Sequence, residues 1–311
     1  MIEDVRVDAA RPIGEALARL DRVPDLRRID PVPVREPSAH IEYCLSRLAE
    51  GTDVTENPVR TVHHLSCTGG TLFAKCIAAM PNVLLLNEVD PLSSLPFRSG
   101  KPAFTPNDLV ALVRQGDPAV SSDLVIRMFV EELAVLRQEQ ARIGRAMVLR
   151  DHSHSHFLTG NAIPDRPTLR ELLSARFPVR SLVTVRDPVD SYLSMMEHGW
   201  HRHFDPPNFD EYCRRYLTFL ESYTGVEIVR YEDFVAEPKS VMVNICRILG
   251  LVYSADFIEN FDVFRFSGDS GRSGGAIAER PRRSLSDEFS NEIAKSENYK
   301  QLSLALSYNT I

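Results

Sequence analysis

The sequence predicts an α/β fold: a central parallel β-sheet flanked by helices, with additional helices ahead of it. Three observations predict it. From Val59 onward, short apolar runs alternate with amphipathic ones, and strand–helix alternation of this kind builds a parallel sheet with helices on both faces. VRTVHHL (59–65) and VLLLNEV (83–89) read as buried strands. The first of these empties through the small-residue turn SCTGGT (66–71) into an apolar helix. In such sheets ligands bind at the carboxyl ends of the strands.

Residues 1–58 read as a helical extension packed on a main domain of residues 59–311. IGEALARLDRV (13–23) and SAHIEYCLSRLAEG (38–51) carry apolar residues at helical spacing, separated by the proline-rich DPVPVREP. After the first strand, a helix runs to Met80, where Pro81 and Asn82 break it before the second strand. A proline-rich loop follows, and Thr105 is expected to cap a helix with Pro106 in its first turn. An amphipathic helix is expected from Asp123 to about Ile143, leading into the third strand, AMVLRDH. VRSLVTVRD is the fourth strand, and a helix starts at Pro188. FDEYCRRYLTFLESY is a further amphipathic helix, and VEIVRYEDF (226–234) is expected as the fifth strand. Pro238 opens a helix that Gly250 ends. A glycine/serine/arginine stretch (266–283) and a terminal helix complete the chain.

Composition narrows the function. The chain has 311 residues, 43% hydrophobic and 25% charged, enough for a sizeable core. A net charge of −7 disfavours nucleic acid and anionic membranes as partners, so an anionic ligand must meet local positive charge. The five cysteines form no CxxC pair, which points to reduced thiols. The amino-terminal stretch is charged, without the apolar core of a signal peptide, and no apolar run approaches the roughly 18 residues of a membrane span. The expected location is cytoplasmic.

Three places can carry chemistry. In SCTGGT, Gly69 and Gly70 allow the backbone to turn several N–H groups toward one point, and the following helix adds partial positive charge. Thr68 and Thr71 add hydroxyls. A phosphate-like group fits, although GxxxxGK[ST] cannot be written onto the loop; a ligand-free tight turn is the alternative. In VTVRDPVDSYLS, Arg186 ends a strand and Ser194 lies eight positions later, so a guanidinium and a hydroxyl can bracket one phosphate. A structural Arg–Asp pair would use the same residues. In VLRDHSHSHF, His152, His154 and His156 alternate. Without an HxxxH or CxxC partner nearby, a metal reading is weak, and His152 is better placed as a general base. His154 and His156 are expected in a solvated loop.

In this constellation the chain resembles the PAPS-dependent sulfotransferases, which move a sulfuryl group from 3′-phosphoadenosine 5′-phosphosulfate to a hydroxyl or amine. The resemblance runs from about Val59 to Arg283 and carries the expectation of their P-loop-like fold. HLSCTGGTLF is similar to the family's 5′-phosphosulfate loop, which implies cofactor contacts from Cys67, Thr68, Gly69, Gly70, Thr71 and Leu72. Arg186 and Ser194 match its 3′-phosphate pair. Arg150-Asp151-His152 resembles its lysine-x-histidine, implying His152 as the acceptor-activating base with Arg150 beside it. VRYEDFVAEPKSVMVNICRILGL resembles the segment whose tyrosine lies near adenine, here Tyr231. GDSGRSGG resembles the glycine/basic loop that closes over the nucleotide, here Ser270, Gly271 and Arg272. The order and spacing of all five motifs agree. No metal is required on this reading, and the implied acceptor is a small molecule or glycan-like.

One departure stands out. The family normally has a lysine, sometimes an arginine, where this chain has Cys67. Arg150 is the first candidate for the missing charge and Lys75, one turn into the helix, the second. The departure keeps two alternatives open: a catalytically impaired nucleotide-binding protein of the same fold, and a small-molecule kinase, which would need the loop lysine that SCTGGT lacks. Glu88 and Asp90, at the carboxyl end of the second strand, are expected at a solvated loop end on the acceptor side, with assistance as a base or binding of an acceptor hydroxyl as the alternative. Arg280, Arg282 and Arg283 are placed near either the 3′-phosphate or an acidic acceptor.

Overall fold

The computed structural model describes residues 57–95, 105–266, 276–279 and 281–310. The chain divides into two units, Met1–Gly51 and Thr52–Ile311, and every described residue belongs to the second. The expected helices of residues 1–56, and Ser270, Gly271, Arg272 and Arg280, lie outside the described residues.

Five parallel strands form one sheet: β1 (Val59–His63), β2 (Val83–Val89), β3 (Ala146–Asp151), β4 (Val179–Val185) and β5 (Glu227–Arg230), in the order β2-β3-β1-β4-β5. Helix α1 (Gly70–Ala78) connects β1 to β2. Then come α2 (Leu109–Gly116), α3 (Ser122–Arg142) and, after β3, the short α4 (His154–Phe157) and α5 (Leu169–Ser174). Helices α6 (Pro188–Glu197) and α7 (Phe209–Ser222) separate β4 from β5. Helices α8 (Tyr231–Ala236), α9 (Pro238–Leu249), α10 (Phe257–Asn260), α11 (Asp287–Lys295) and α12 (Glu297–Leu306) follow. This is the expected α/β architecture, a parallel sheet flanked by helices.

Side chains on successive strand residues point to opposite faces, and the core follows that alternation. Val62, Val148 and Leu182 pack against α1, α8 and α9. On the other face Met147 and Leu149 meet α3 and α5, while Val183 and Val185 meet α6, α7, α11 and α12. Both faces are therefore covered, as a parallel sheet requires.

Three boundaries differ from expectation. Asp108, not Thr105, caps α2 by accepting from the Ala111 N–H at 2.9 Å. Ser121 caps α3 one residue earlier than expected, accepting from Leu124 N–H at 3.2 Å. The fifth strand stops at Arg230 and turns directly into α8. Glu232 and Asp233 fall in the first turn of α8, where negative charge meets the positive end of the helix dipole. That early stop swings Tyr231 over the end of the sheet.

Candidate active site

Parallel strands deliver their carboxyl ends to one edge, and the strand order decides which ends are neighbours. Across that edge run Glu88 on β2, Arg150 and His152 at β3, the 64–70 loop after β1, Arg186 after β4 and Tyr231 after β5. The three motif strands, β3, β1 and β4, are adjacent.

The β1–α1 loop is packed from both sides. Cys67 and Gly69 adopt left-handed backbone, with φ of 64° and 90°. A Cβ on Gly69 would stand 2.4 Å from Tyr231 Cδ2, and one on Gly70 would stand 2.4 Å from His64 Cε1 and Nδ1. Both glycines are therefore demanded by close approach. The Thr68 hydroxyl donates to the Leu65 carbonyl at 2.8 Å and is fully buried. It holds the turn, so what Thr68 offers an anion is its backbone N–H. Leu72 buries its side chain in the core and donates its N–H to the Gly69 carbonyl at 2.9 Å. Thr71 is half-buried in the first turn of α1, where N–H groups lack partners within the helix.

Arg186 joins this loop directly. Its Nη1 donates to the Cys67 carbonyl at 3.1 Å, and its guanidinium carbon lies 4.9 Å from the centre of the Tyr231 ring. Its Nε is buried with no hydrogen-bond partner among the described residues. A buried donor left unmade costs about 1–3 kcal/mol, a cost that an oxyanion would relieve. The Ser194 hydroxyl, on α6, lies close enough to the Cys67 thiol to favour its charged form. Cys67, Gly69, Arg186, Ser194 and Tyr231 thus form one cluster. Burial pushes the Cys67 thiol up, against the downward pull of Ser194, Arg186 and Arg283, so it is a neutral thiol.

Lys75 is buried and directed to Asp262, 3.8 Å away. Arg283 lies within electrostatic reach of Cys67 and pairs with Glu197. Arg282 pairs with Asp187 at 2.6 Å and Asp190 at 3.1 Å. Both arginines are anchored to acidic groups of α6 and its cap, beside Arg186.

On the other side of the loop, Arg150 is buried, and its partners among the described residues include His64, Asn87 and Glu88. Its Nε donates to His64 Nε2 at 2.8 Å, and Nη1 reaches Asn87 Oδ1 at 2.8 Å and Glu88 Oε1 at 2.7 Å. His64 Nδ1 lies 2.9 Å from the Leu65 carbonyl. Nδ1 must therefore donate and Nε2 accept, which fixes one neutral tautomer. Burial, then the neighbouring Arg150 charge, push His64 down to about 3.

His152 Nε2 is 3.1 Å from Glu88 Oε2, so one carboxylate bridges Arg150 and His152. Glu88 is no solvated loop end. Leu86 pairs with Leu149 and Val89 with Asp151, so β2 carries one extra residue there, and Glu88 takes φ 59°. Bulges of this kind re-aim a side chain. Asp90 is likewise engaged, by a two-pronged Arg166 contact at 2.9 and 2.7 Å and by Ser155.

The histidine run also departs from expectation. The strand ends at Asp151, and His154 to His156 lie on α4. His156 is buried, stacked on Phe157, with Nε2 3.0 Å from the Pro164 carbonyl. His154 is half-buried against the His152 ring, centroids 3.8 Å apart. Burial, then the neighbouring His152, His64 and Arg150, hold it well below the usual range.

Sequence reasoning missed two groups and put a third, Glu88, at a solvated loop end. His64, behind the loop, had its signal in the second histidine of a buried run, and Glu88 had its signal in the NE pair interrupting VLLLNEV. The other missed group is a fully buried network under the site. Asp151 accepts from His63 at 2.6 Å, Ser153 at 2.8 Å and Tyr223 at 2.9 Å. Burial would raise the Asp151 carboxyl, but these bonds outweigh it and hold it below the usual range. Among the described residues, Cys67, Cys76, Cys213 and Cys246 are free, and no helix is long and apolar enough to cross a membrane.

No protein-family model and no curated protein matches the chain. Solved structures similar to it include the sulfotransferase domain from the Synechococcus PCC 7002 olefin synthase, at 17% identity and a TM-score of 0.49, covering 81% of this chain and 95% of that one. A sulfotransferase from Alicyclobacillus acidocaldarius is similar at 14% identity and TM-score 0.37, covering 82% and 97%. Mouse sulfotransferase SULT7A1 complexed with PAP is similar at 11% and 0.38, covering 84% and 94%. All three are sulfotransferases, and likenesses of this depth carry neither chemistry nor substrate.

Proposed function

We propose that this chain transfers a sulfuryl group from 3′-phosphoadenosine 5′-phosphosulfate to a hydroxyl or amine of a small-molecule or glycan-like acceptor. The observation that carries the reading is the union of two oxyanion cups. The backbone of the β1–α1 loop and the guanidinium of Arg186 meet at the Cys67 carbonyl, with a buried Arg186 donor still unsatisfied. One adenosine bisphosphate has the two phosphates such a pair needs.

In the proposed reaction the acceptor oxygen attacks sulfur in line, and the bond from sulfur to the bridging phosphate oxygen breaks. His152 takes the acceptor's proton. The Glu88 carboxylate, 3.1 Å from His152 Nε2, favours the ring proton on Nε2, which leaves Nδ1 as the lone pair that receives the proton, and stabilises the imidazolium that forms. The leaving phosphate gathers negative charge beside the loop N–H groups, and such a preformed donor is worth about 3–4 kcal/mol, or 10²–10³ in rate. Arg150 orients Glu88 and His64, so it acts on the reacting groups through both neighbours.

The neutral Cys67 thiol favours one other reading, a binder that has lost catalysis. Calorimetry with 3′,5′-adenosine bisphosphate and with ATP–Mg²⁺ tests the site: the first should bind and the second bind weakly. Tighter ATP binding overturns the proposal in favour of a kinase. Transfer of radiolabelled sulfur from PAPS to acceptors in a cell extract then divides enzyme from binder.

A further inference from the structure

We propose that Glu88, His152 and His154 form a binding site for a zinc-class divalent ion, and that its occupancy blocks proton transfer at His152. Each residue offers one donor atom, and the three atoms lie within 4.8 Å of one another. Two ligands bound at about 2.0–2.1 Å to a tetrahedral ion stand about 3.3 Å apart. Glu88 Oε2 and His152 Nε2, 3.1 Å apart, already have that spacing. The His154 donor needs to close by at most about 1.5 Å, a ring rotation.

Independent features of the fold point to a ligand here. His154 Nδ1 is buried and has no hydrogen-bond partner among the described residues, the condition of a polar atom awaiting one. Glu88 holds left-handed backbone at the β2 bulge, and strain of this sort persists where a side chain must be aimed. Arg150 Nη1 takes Oε1 of Glu88 at 2.7 Å, so Oε2 is left for an ion. Such a partner behind a ligating carboxylate orients it. The short helix carrying His154 is fixed as well. Ser155 is tied to Asp90, and Arg215 clamps the carbonyls of Phe157, Thr159 and Gly160 at 2.9–3.2 Å.

The donor set selects the ion. Two imidazoles and one carboxylate suit zinc, cobalt and nickel, and leave a coordination position open. A single carboxylate disfavours magnesium and calcium, which need several oxygen ligands. Ligation at His152 Nε2 leaves the ring proton on Nδ1, so no lone pair remains to receive a proton from an acceptor. That consequence rests on the proposed function; the site itself does not.

The test uses the full chain, with Zn²⁺ and Co²⁺ as titrants in calorimetry and the visible absorption of Co²⁺ as a second signal. Wild-type protein should bind one ion saturably, and Mg²⁺ should not compete. Removal of outer-shell partners costs metal sites about 10–100-fold, so loss of a ligand in His154→Ala or Glu88→Gln should weaken Co²⁺ at least ~10-fold. Binding of 3′,5′-adenosine bisphosphate by both variants verifies that they are folded. Absence of saturable Co²⁺ binding, wild-type affinity in either variant, or loss of binding in Cys67→Ser would overturn the site. Sulfuryl transfer by the wild type should fall as Zn²⁺ saturates it. Transfer that persists at saturation overturns the blocking role. A chain that binds Co²⁺ yet transfers nothing without metal refutes the proposed function and leaves the site standing; one that transfers but binds no metal does the reverse.

Discussion

Replacing Gly70 by alanine tests whether His64 is the wall behind the β1–α1 loop. Gly70 opens α1, and its added Cβ would stand 2.4 Å from two atoms of the His64 ring. Ordinary contact begins near 3.4 Å, so the ring or the loop must retreat by about 1 Å. The ring cannot yield cheaply. It is buried and held at both nitrogens, by the Leu65 carbonyl at 2.9 Å and by Arg150 at 2.8 Å. Leaving such groups unsatisfied costs about 1–3 kcal/mol each, while alanine returns up to about 1 kcal/mol in helix propensity. The net loss should be about 1–5 kcal/mol, read in equilibrium urea unfolding. If the loop moves instead, a displacement of this size should cost about 10²-fold in transfer. Gly70→Ala combined with His64→Ala should show a coupling of at least ~1 kcal/mol, since the two positions are in contact. Unchanged stability and unchanged bisphosphate affinity in the single variant would refute the packing argument.

Arg186→Ala removes a charge-assisted contact worth about 1.5–3 kcal/mol, so bisphosphate affinity should fall about 10–100-fold in calorimetry; an unchanged affinity sinks the 3′-phosphate assignment. His152→Ala should keep that affinity and lose about 10²–10⁴ in transfer, and a fully active variant rules out His152 as the base. His64 sets a pH dependence: its folded value is about 3 against an ordinary 6.5. Between these values the unfolded chain holds a proton that the folded chain does not, so stability falls as pH drops below 6.5, by up to about 1.4 kcal/mol per unit. His64→Gln should flatten that slope in urea series between about pH 7 and pH 5, and an unaltered slope counts against it. Arg215 is fully buried, paired with Glu211 at 2.6 Å and bonded to three carbonyls. Arg215→Met should lose about 3–5 kcal/mol, and a midpoint within error of wild type would show the clamp to be dispensable.

The sequence by itself determined the architecture and put the candidate residues at the ends of its strands. Periodicity distinguishes strand from helix, and Gly69-Gly70, Arg186 and His152 each stand where a predicted strand ends. The carboxyl ends of parallel strands share one edge, so local pattern was enough to put these residues on it. What it could not give was lateral order, because nothing local in β1 says that β3 and β4 flank it. That order brings Arg186 against the Cys67 carbonyl and Arg150 against His64. The bulge that aims Glu88 between Arg150 and His152 is likewise a register event between two strands, while the burial of His156 and the Arg166 contact of Asp90 come from tertiary packing. Contacts between residues far apart in the chain are fixed by packing, and only the folded structure decides which charges meet.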